Sequence, residues 1–477
     1  MPQNDLTSVS PAQNGSPAGT TVPRILVIGG GSVGLYAARR LRKRLGKSQA
    51  QITVVDPNPY LTYAPFLPEA AAGSIESRYV VAPLRKALPG VDIVEGKVTS
   101  ISHADRRVTV EPKEGDAFVL SYDEVVVAFG SVARLLPIPG LAEQGIGLKT
   151  VEEAIAVRDQ ILDKIDVAST VTDEALRRRL LTFTFVGGGF AGIEAIAEIE
   201  DMARAAVKKH PTLTQSDLRF VMIEGTGRIL PELSEPMALY ALDQLKDRGI
   251  EFHLNTFLSS CVDGHVVTST GVEFDTETLV WTAGIKSNPV LNDSDLPLDK
   301  LGRLQVLATL QVATEDGTIV PGAWGAGDCA AVPDVLNPGK FCPPNAQHAI
   351  REGVQLAENL VSNLKGEPTK EYSHKNIGTV ASLGLYKGVA ELFGKFKLRG
   401  PLAWAMHRGY HVLAMPTWNR KLHIFNGWVG QAVYGRETVA LNAVQDPRAA
   451  FRAAAPAPKK TDEPLKQVAT SAAADAK

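Results

Sequence analysis

The chain has 477 residues, more than one hydrophobic core organises, so two or three domains are expected. Its 50 basic and 52 acidic residues nearly cancel, which gives no global sign of nucleic-acid binding, and no such partner is expected. Cys261, Cys329 and Cys342 form no CxxC and no metal-type spacing, which points to a reducing, cytoplasmic-side setting without structural disulfides or a metal site. No apolar run approaches the ~18 residues of a transmembrane helix. Residues 1–22 are rich in Ser, Pro, Asn, Gly and Thr without the pattern of a signal peptide, so a flexible tail is expected there.

Arg24 to Ile28 carries a branched apolar run suited to a strand buried on both faces of a parallel sheet. It leads into Gly29-x-Gly31-x-x-Gly34, with Ser32 inside the turn, and then into Leu35, Ala38 and Leu41 at helical spacing. In that context the first glycine permits a tight turn, the second lets a pyrophosphate approach the backbone, and the third lets helix and strand pack closely. The helix N-terminus offers free N–H groups to phosphate. Asp56 ends the next strand, about 20 residues on, where a carboxylate binds ribose hydroxyls. Tyr60 to Glu76 is apolar and Pro-bearing and reads as a loop entering a short helix. Val91 to Glu95, Thr99 to His103, Arg107 to Pro112 and Phe118 to Leu120 read as short strands of an antiparallel add-on. Glu124 to Gly130 reads as a buried strand ending on glycine, and Val151 to Ile165 as a helix.

The opening pattern then repeats. Leu181 to Val186 runs into Gly187-x-Gly189-x-x-Gly192, with Phe190 in the turn and Ile193, Ile196 and Ile199 in the helix that follows. Phe220 to Ile223 makes the next strand and Glu224 takes the acidic ribose position, its spacing lengthened because Asp201 to His210 extends the helix. Leu279 to Trp281 is a further strand ending in Thr282-Ala283-Gly284. Two dinucleotide fingerprints in one chain imply two nucleotides, one held and one exchanging. Ala323 to Asp328, AWGAGD, is a short strand ending in Gly-Asp.

With these motifs the chain resembles the flavoproteins with two dinucleotide-binding domains. The resemblance implies an α/β fold in which the first motif binds FAD, the second binds NADH, and the late Gly-Asp segment returns to the flavin. Asp328 would contact the ribityl and phosphate side; the alternative is a turn aspartate capping the next segment. No cysteine precedes Cys261, so dithiol reductases are set aside, as are sulfide:quinone reductases, whose spaced cysteines are missing. Pro343 to Gly353 resembles the AQxAxQxG segment of type II (non-proton-pumping) NADH:quinone dehydrogenases: Ala346, Gln347 and Ala349 match, whereas Arg351 replaces the second glutamine. The resemblance places that segment against the flavin at the quinone site and makes Glu194, in FAGIEAIAEI, a carboxylate near nicotinamide and flavin that could relay protons. The alternatives are a helix-start role for Gln347 and simple helix-dipole stabilisation for Glu194. The implied FAD contacts are Gly29, Gly31, Ser32, Gly34, Asp56, Gly130, Asp328, Ala346 and Gln347. The implied NADH contacts are Gly187, Gly189, Phe190, Gly192, Glu194, Glu224 and Gly284.

Ala381 to Gly430 holds Trp404, Trp418 and Trp428, and seven basic residues (Lys387, Lys395, Lys397, Arg399, Arg408, Arg420 and Lys421) against the single acid Glu391. Leu402, Ala405, Met406, Gly409, Val412 and Leu413 give an apolar face with Arg408 and His411 off it. Together these suit a helix lying on an anionic membrane surface; a packed subdomain or a homodimer face is the alternative. The expected organisation is a tail (1–22), an FAD-binding domain in two parts (23–150 and 301–370), an NADH-binding domain (151–300), a C-terminal membrane-associating region (371–447) and a second tail (448–477). The implied activity is NADH oxidation with electron transfer to a membrane quinone, at the cytoplasmic face of the cell membrane. Rival readings are a soluble NADH-dependent reductase of a ferredoxin- or rubredoxin-type protein, and a flavin-bearing interaction protein like apoptosis-inducing factor.

Overall fold

The computed structural model describes residues 22–375 and 377–441. The two expected tails lie outside the described residues, Val22 excepted.

Two parallel sheets carry the molecule. In the first, Arg24–Ile28 lies between Gln51–Asp56 and Glu124–Val127, parallel to both. Asp92–Glu95 extends one side in parallel and Ile319–Gly325 the other, with Gln311–Ala313 antiparallel at the far edge. The chain thus leaves this sheet after Glu124–Val127, builds the second, and returns beside the strand it left. In the second sheet Thr182–Val186 lies between Arg219–Ile223 and Thr278–Trp281, flanked by Ile250–His253 and Gly145–Gly147, all parallel. The central strands of both sheets are buried along almost their whole length, which explains why they read as unbroken apolar runs rather than alternating ones.

Helix Ser32–Arg44 packs from the first sheet onto Ala346–Leu364, and Gly353 marks the closest approach: a methyl group there would sit 2.5 Å from Val33 O. Helix Val151–Ala168 starts at a capping box, in which Thr150 and Glu153 each satisfy the other's backbone N–H. The segment read as a loop entering a short helix begins instead with a short strand, Tyr60–Thr62, antiparallel to Val81–Pro83, before the helical turns Ala64–Phe66 and Leu67–Ala71.

Two further expectations need correcting. Asp92–Glu95 is not part of the antiparallel add-on but the parallel edge of the first sheet; the add-on is Lys97–Ser102, Arg107–Glu111 and Phe118–Ser121. Short strands at this spacing look alike until their partners are known.

The C-terminal region is also more than one surface helix. Gly378–Ser382, Gly388–Leu392 and Phe396–Arg399 form an antiparallel sheet, followed by helices Gly400–Ala414 and Trp418–Tyr434. Ala403, His407 and Arg408 of the first helix are buried, whereas Leu402 is 62% and Leu413 71% exposed. The charged face points in and the apolar one out, the reverse of an ordinary globular helix. Arg408 is therefore not on the basic surface. It lies between the rings of Trp404 and Trp428, at 4.4 and 4.8 Å, and faces Glu69. Trp428 also turns inward, donating to Glu69 Oε2 at 2.7 Å, so of the three tryptophans Trp418 is the outward one, 75% exposed. Among the described residues no helix is long and apolar enough to cross a membrane.

Candidate active site

The two glycine turns have the same geometry. Gly29 has φ +102° and Gly187 φ +112°, a conformation glycine adopts without strain. A methyl group on Gly34 would meet Gly29 O at 1.8 Å, and one on Gly192 would meet Gly187 O at 1.9 Å, so helix and turn close only with hydrogen at those positions. On Gly31 and Gly189, by contrast, a methyl group would meet nothing within 4 Å. These are the open faces of the two turns, each at the N-cap of a helix with no side-chain cap, where Ser32 and Phe190 begin the helices. Uncapped helix N–H groups beside an unobstructed glycine form a cradle that suits a pyrophosphate.

Each cradle has its carboxylate. Asp56 Oδ2 accepts from Gly30 N and Oδ1 from Asn58 N, both at 2.7 Å. Burial pushes the Asp56 carboxyl up and the two N–H donors oppose it. Glu224 does the same in the second sheet: Oε2 accepts from Gly188 N at 2.5 Å, Oε1 from Thr226 N at 2.7 Å and from its hydroxyl at 2.8 Å. Nearby Arg228 is turned to the backbone, donating to Leu233 O.

A cavity of about 360 Å³ is walled by both halves of the chain, including Ser131, Arg134, Ile285, Asp328, Asn345 and Glu352. Ser131–Ala133 pairs antiparallel with Ile285–Ser287 and joins the halves directly, placing Gly130 and Gly284 at the two ends of the junction. Asp328 Oδ2 accepts from Ser131 Oγ at 2.6 Å. Glu352, 1% exposed, accepts from Gly327 N at 2.7 Å; burial pushes its carboxyl up to about 7. Cys342, His348 and Glu352 bring a thiol, an imidazole and a carboxylate within 4.8 Å of one another, which their spacing in sequence did not reveal. They form part of the wall of the same cavity, with Glu352 committed to Gly327 N and His348 Nδ1 3.1 Å from Tyr372 Oη.

Ala346 starts helix Ala346–Leu364, capped by Asn345 Oδ1 on His348 N at 2.9 Å. The Gln347 side chain is aimed at the C-terminal region: Oε1 is 2.9 Å from His374 Nε2 and Nε2 reaches Gly378 O at 3.4 Å. Arg351 donates to Gln347 O at 2.8 Å and so buttresses that turn. Glu194 lies in the second turn of its helix, not the first, so the helix dipole is not what holds it. Its Oε1 accepts from Ser382 N at 2.8 Å and lies 2.8 Å from His407 Nε2 in an ion pair. Burial works against a charged His407, but Glu194, Glu69 and Glu198 outweigh it and raise its pKa. One strand, Gly378–Ser382, therefore touches Gln347 at its start and Glu194 at its end. His407, His374, Glu352 and Ser131 were missed in the sequence. Each acquires its partner through long-range packing that leaves no local signal.

The family model for pyridine nucleotide-disulphide oxidoreductases matches residues 23–353. The type II NADH:quinone oxidoreductase of Staphylococcus aureus is 30% identical over 378 residues, covering 78% of this chain and 90% of that enzyme, and the Staphylococcus epidermidis enzyme is 31% identical over 379. The chain belongs to the type II NADH:quinone oxidoreductases of this family. The fold of NDH2 from Plasmodium falciparum, solved in complex with NADH, matches 88% of the chain with TM-score 0.79 at 18% identity. A sulfide:quinone oxidoreductase from Aquifex aeolicus matches 87% with TM-score 0.65 at 17% identity, so the architecture is shared more widely than the type II enzymes. In this type II oxidoreductase the two fingerprints form the two cradles, and Asn345, His348, Ala349 and Glu352 of the AQxAxQxG-like segment line the cavity.

Proposed function

We propose that the protein is a peripheral membrane flavoenzyme that oxidises NADH and reduces a membrane quinone through FAD, without pumping protons. The observation that carries this is the match along 90% of the length of the Staphylococcus aureus NADH:quinone oxidoreductase. The soluble reductase and the interaction protein are not favoured, because neither is a quinone enzyme.

Gly29, Gly31, Ser32, Gly34 and Asp56 hold the adenosine and pyrophosphate of FAD, and Gly130, Asp328, Ala346 and Gln347 its remainder. Gly187, Gly189, Phe190, Gly192, Glu224 and Gly284 hold NADH. The open glycine faces and uncapped helix starts support the roles of the two turns, and the place of Asp328 in the cavity wall supports its own. FAD supplies two-electron chemistry; the chain supplies binding, orientation and electrostatics. The net reaction, NADH + H⁺ + quinone → NAD⁺ + hydroquinone, draws one proton from water, and Glu194, paired with His407, is placed to hold it. Gln347, held by His374, orients quinone.

The chain divides into an FAD-binding domain (23–150 and 301–370), an NADH-binding domain (151–300) and a docking region (371–447). Docking uses the exposed stripe Trp418, Leu422, Phe425, Val429 and Val433, one face of a helix whose opposite side buries Ile424. Exposed Lys395, Lys397 and Arg399 suit an anionic surface at the cytoplasmic face.

The purified protein should be yellow and should release FAD on denaturation. Recovery of FMN, which lacks the ribose assigned to Asp56, or of no flavin would refute the assignment.

A further inference from the structure

Lys149 belongs to neither fingerprint, yet it connects the two halves at the cavity. Its backbone is fixed beside helix Val151–Ala168, where Glu153 Oε2 accepts from Lys149 N at 2.6 Å and from Thr150 N at 2.9 Å. The side chain leaves the second sheet's half of the molecule and reaches the first: Nζ donates to Ser131 Oγ at 2.8 Å. An ammonium only donates and a hydroxyl has one proton, so Ser131 accepts from Lys149 and gives its own proton to Asp328 Oδ2 at 2.6 Å. Ser131 and Asp328 line the cavity, and Lys149 stands behind Ser131. The turn carrying Asp328 is held from its other side by Glu352 on Gly327 N. The charges facing the lysine are Asp328 and Glu153; burial pushes its pKa down and these two oppose that.

We propose that Lys149 is a positioning residue which, through Ser131, fixes the Asp328 carboxylate and sets positive charge at this end of the cavity, tightening FAD binding and raising the reduction potential of the bound flavin. This rests on the reading that FAD occupies the cavity. The physical reason is charge balance. An uncompensated Asp328 carboxylate would repel an anionic cofactor and oppose electrons added to it, and a nearby ammonium offsets both effects in a partly desolvated site.

Three full-length variants test this, with FAD dissociation constant and flavin midpoint potential as readouts. Lys149→Met should weaken FAD binding about tenfold and move the potential negative. Lys149→Arg keeps the charge and should restore the potential. Ser131→Ala cuts the link but leaves the cation, so it should loosen FAD while moving the potential less than Lys149→Met does. Wild-type affinity and potential in Lys149→Met would overturn the proposal, as would Lys149→Arg behaving like Lys149→Met. If Lys149→Met does not fold, the arginine and Ser131→Ala variants still decide: an unchanged FAD affinity in Ser131→Ala overturns the link. A wild-type protein that holds no FAD would instead overturn the reading beneath, a separate outcome.

Discussion

Both oxygens of Glu224 already accept protein hydrogen bonds, from Gly188 and Thr226, which fixes the carboxylate at the rim of the second cradle. A 2′-phosphate placed there meets a fixed like charge, while a 2′-hydroxyl can still donate to a remaining lone pair. Nearby Arg228, a possible phosphate partner by its charge, is instead bound to a backbone carbonyl. NADH should therefore exceed NADPH in kcat/KM by roughly 5- to 150-fold, about 1–3 kcal/mol, and equal values would show that Glu224 is not at the ribose. Glu352 gives a pH prediction. Its carboxyl rises from 4.5 to about 7 on folding because burial disfavours the charge. The folded state therefore keeps a proton that the unfolded state has lost. The destabilisation grows as pH rises from 4.5 to about 7 and is constant above, on the order of 3 kcal/mol. Glu352→Gln can still accept from Gly327 N, so denaturant unfolding should show it more stable than wild type at pH 8 and equal near pH 4; a difference that does not vary with pH would contradict this origin. At this scale the sequence revealed residues whose roles are local. Gly29, Gly31 and Gly34 act on their own turn, so their pattern carries their meaning. Glu194 and Gln347 could be named, but their partners His407 and His374 come from a region whose fold local pattern did not resolve.

Among the elements, the central strands of both sheets were legible because each is buried on two faces and needs only local apolar residues, whereas edge strands such as Gly145–Gly147 and Ile250–His253, less buried, carry no such run. The C-terminal helices were harder, because their inward face is charged. Arg408, Arg436 and His407 point at Glu69, Glu194 and Glu198, so burial follows ion pairing rather than hydropathy. Burial works to raise Glu198, but Arg436 and Arg408 outweigh it and hold it low. Removing the whole region would leave these carboxylates uncompensated, at about 3–5 kcal/mol for each broken pair, so truncation is a poor test of docking. Surface changes are better. Leu422 and Phe425 are 59% and 57% exposed on the outer stripe, so the double variant Leu422→Glu/Phe425→Glu should keep its fold and flavin. It should lose most co-sedimentation with anionic liposomes while still passing electrons from NADH to a water-soluble acceptor. Undiminished liposome binding would move the docking surface elsewhere.

At the scale of the whole molecule, two cradles of one design belong to two halves that share the walls of one cavity, and a third element ties both halves to an outward apolar surface. Gly378–Ser382 makes that tie by meeting Gln347 of the first half and Glu194 of the second. Such an arrangement lets a water-soluble donor and a lipid-soluble acceptor use one cofactor, provided the surface stripe keeps the acceptor's entrance at the bilayer. The most direct test is steady-state NADH oxidation by the purified, FAD-loaded protein with and without a long-tailed quinone in liposomes. The account predicts rapid turnover only when quinone is present, with one hydroquinone formed per NADH consumed. NADH oxidation that does not depend on quinone, or that requires an added ferredoxin or rubredoxin, would contradict it.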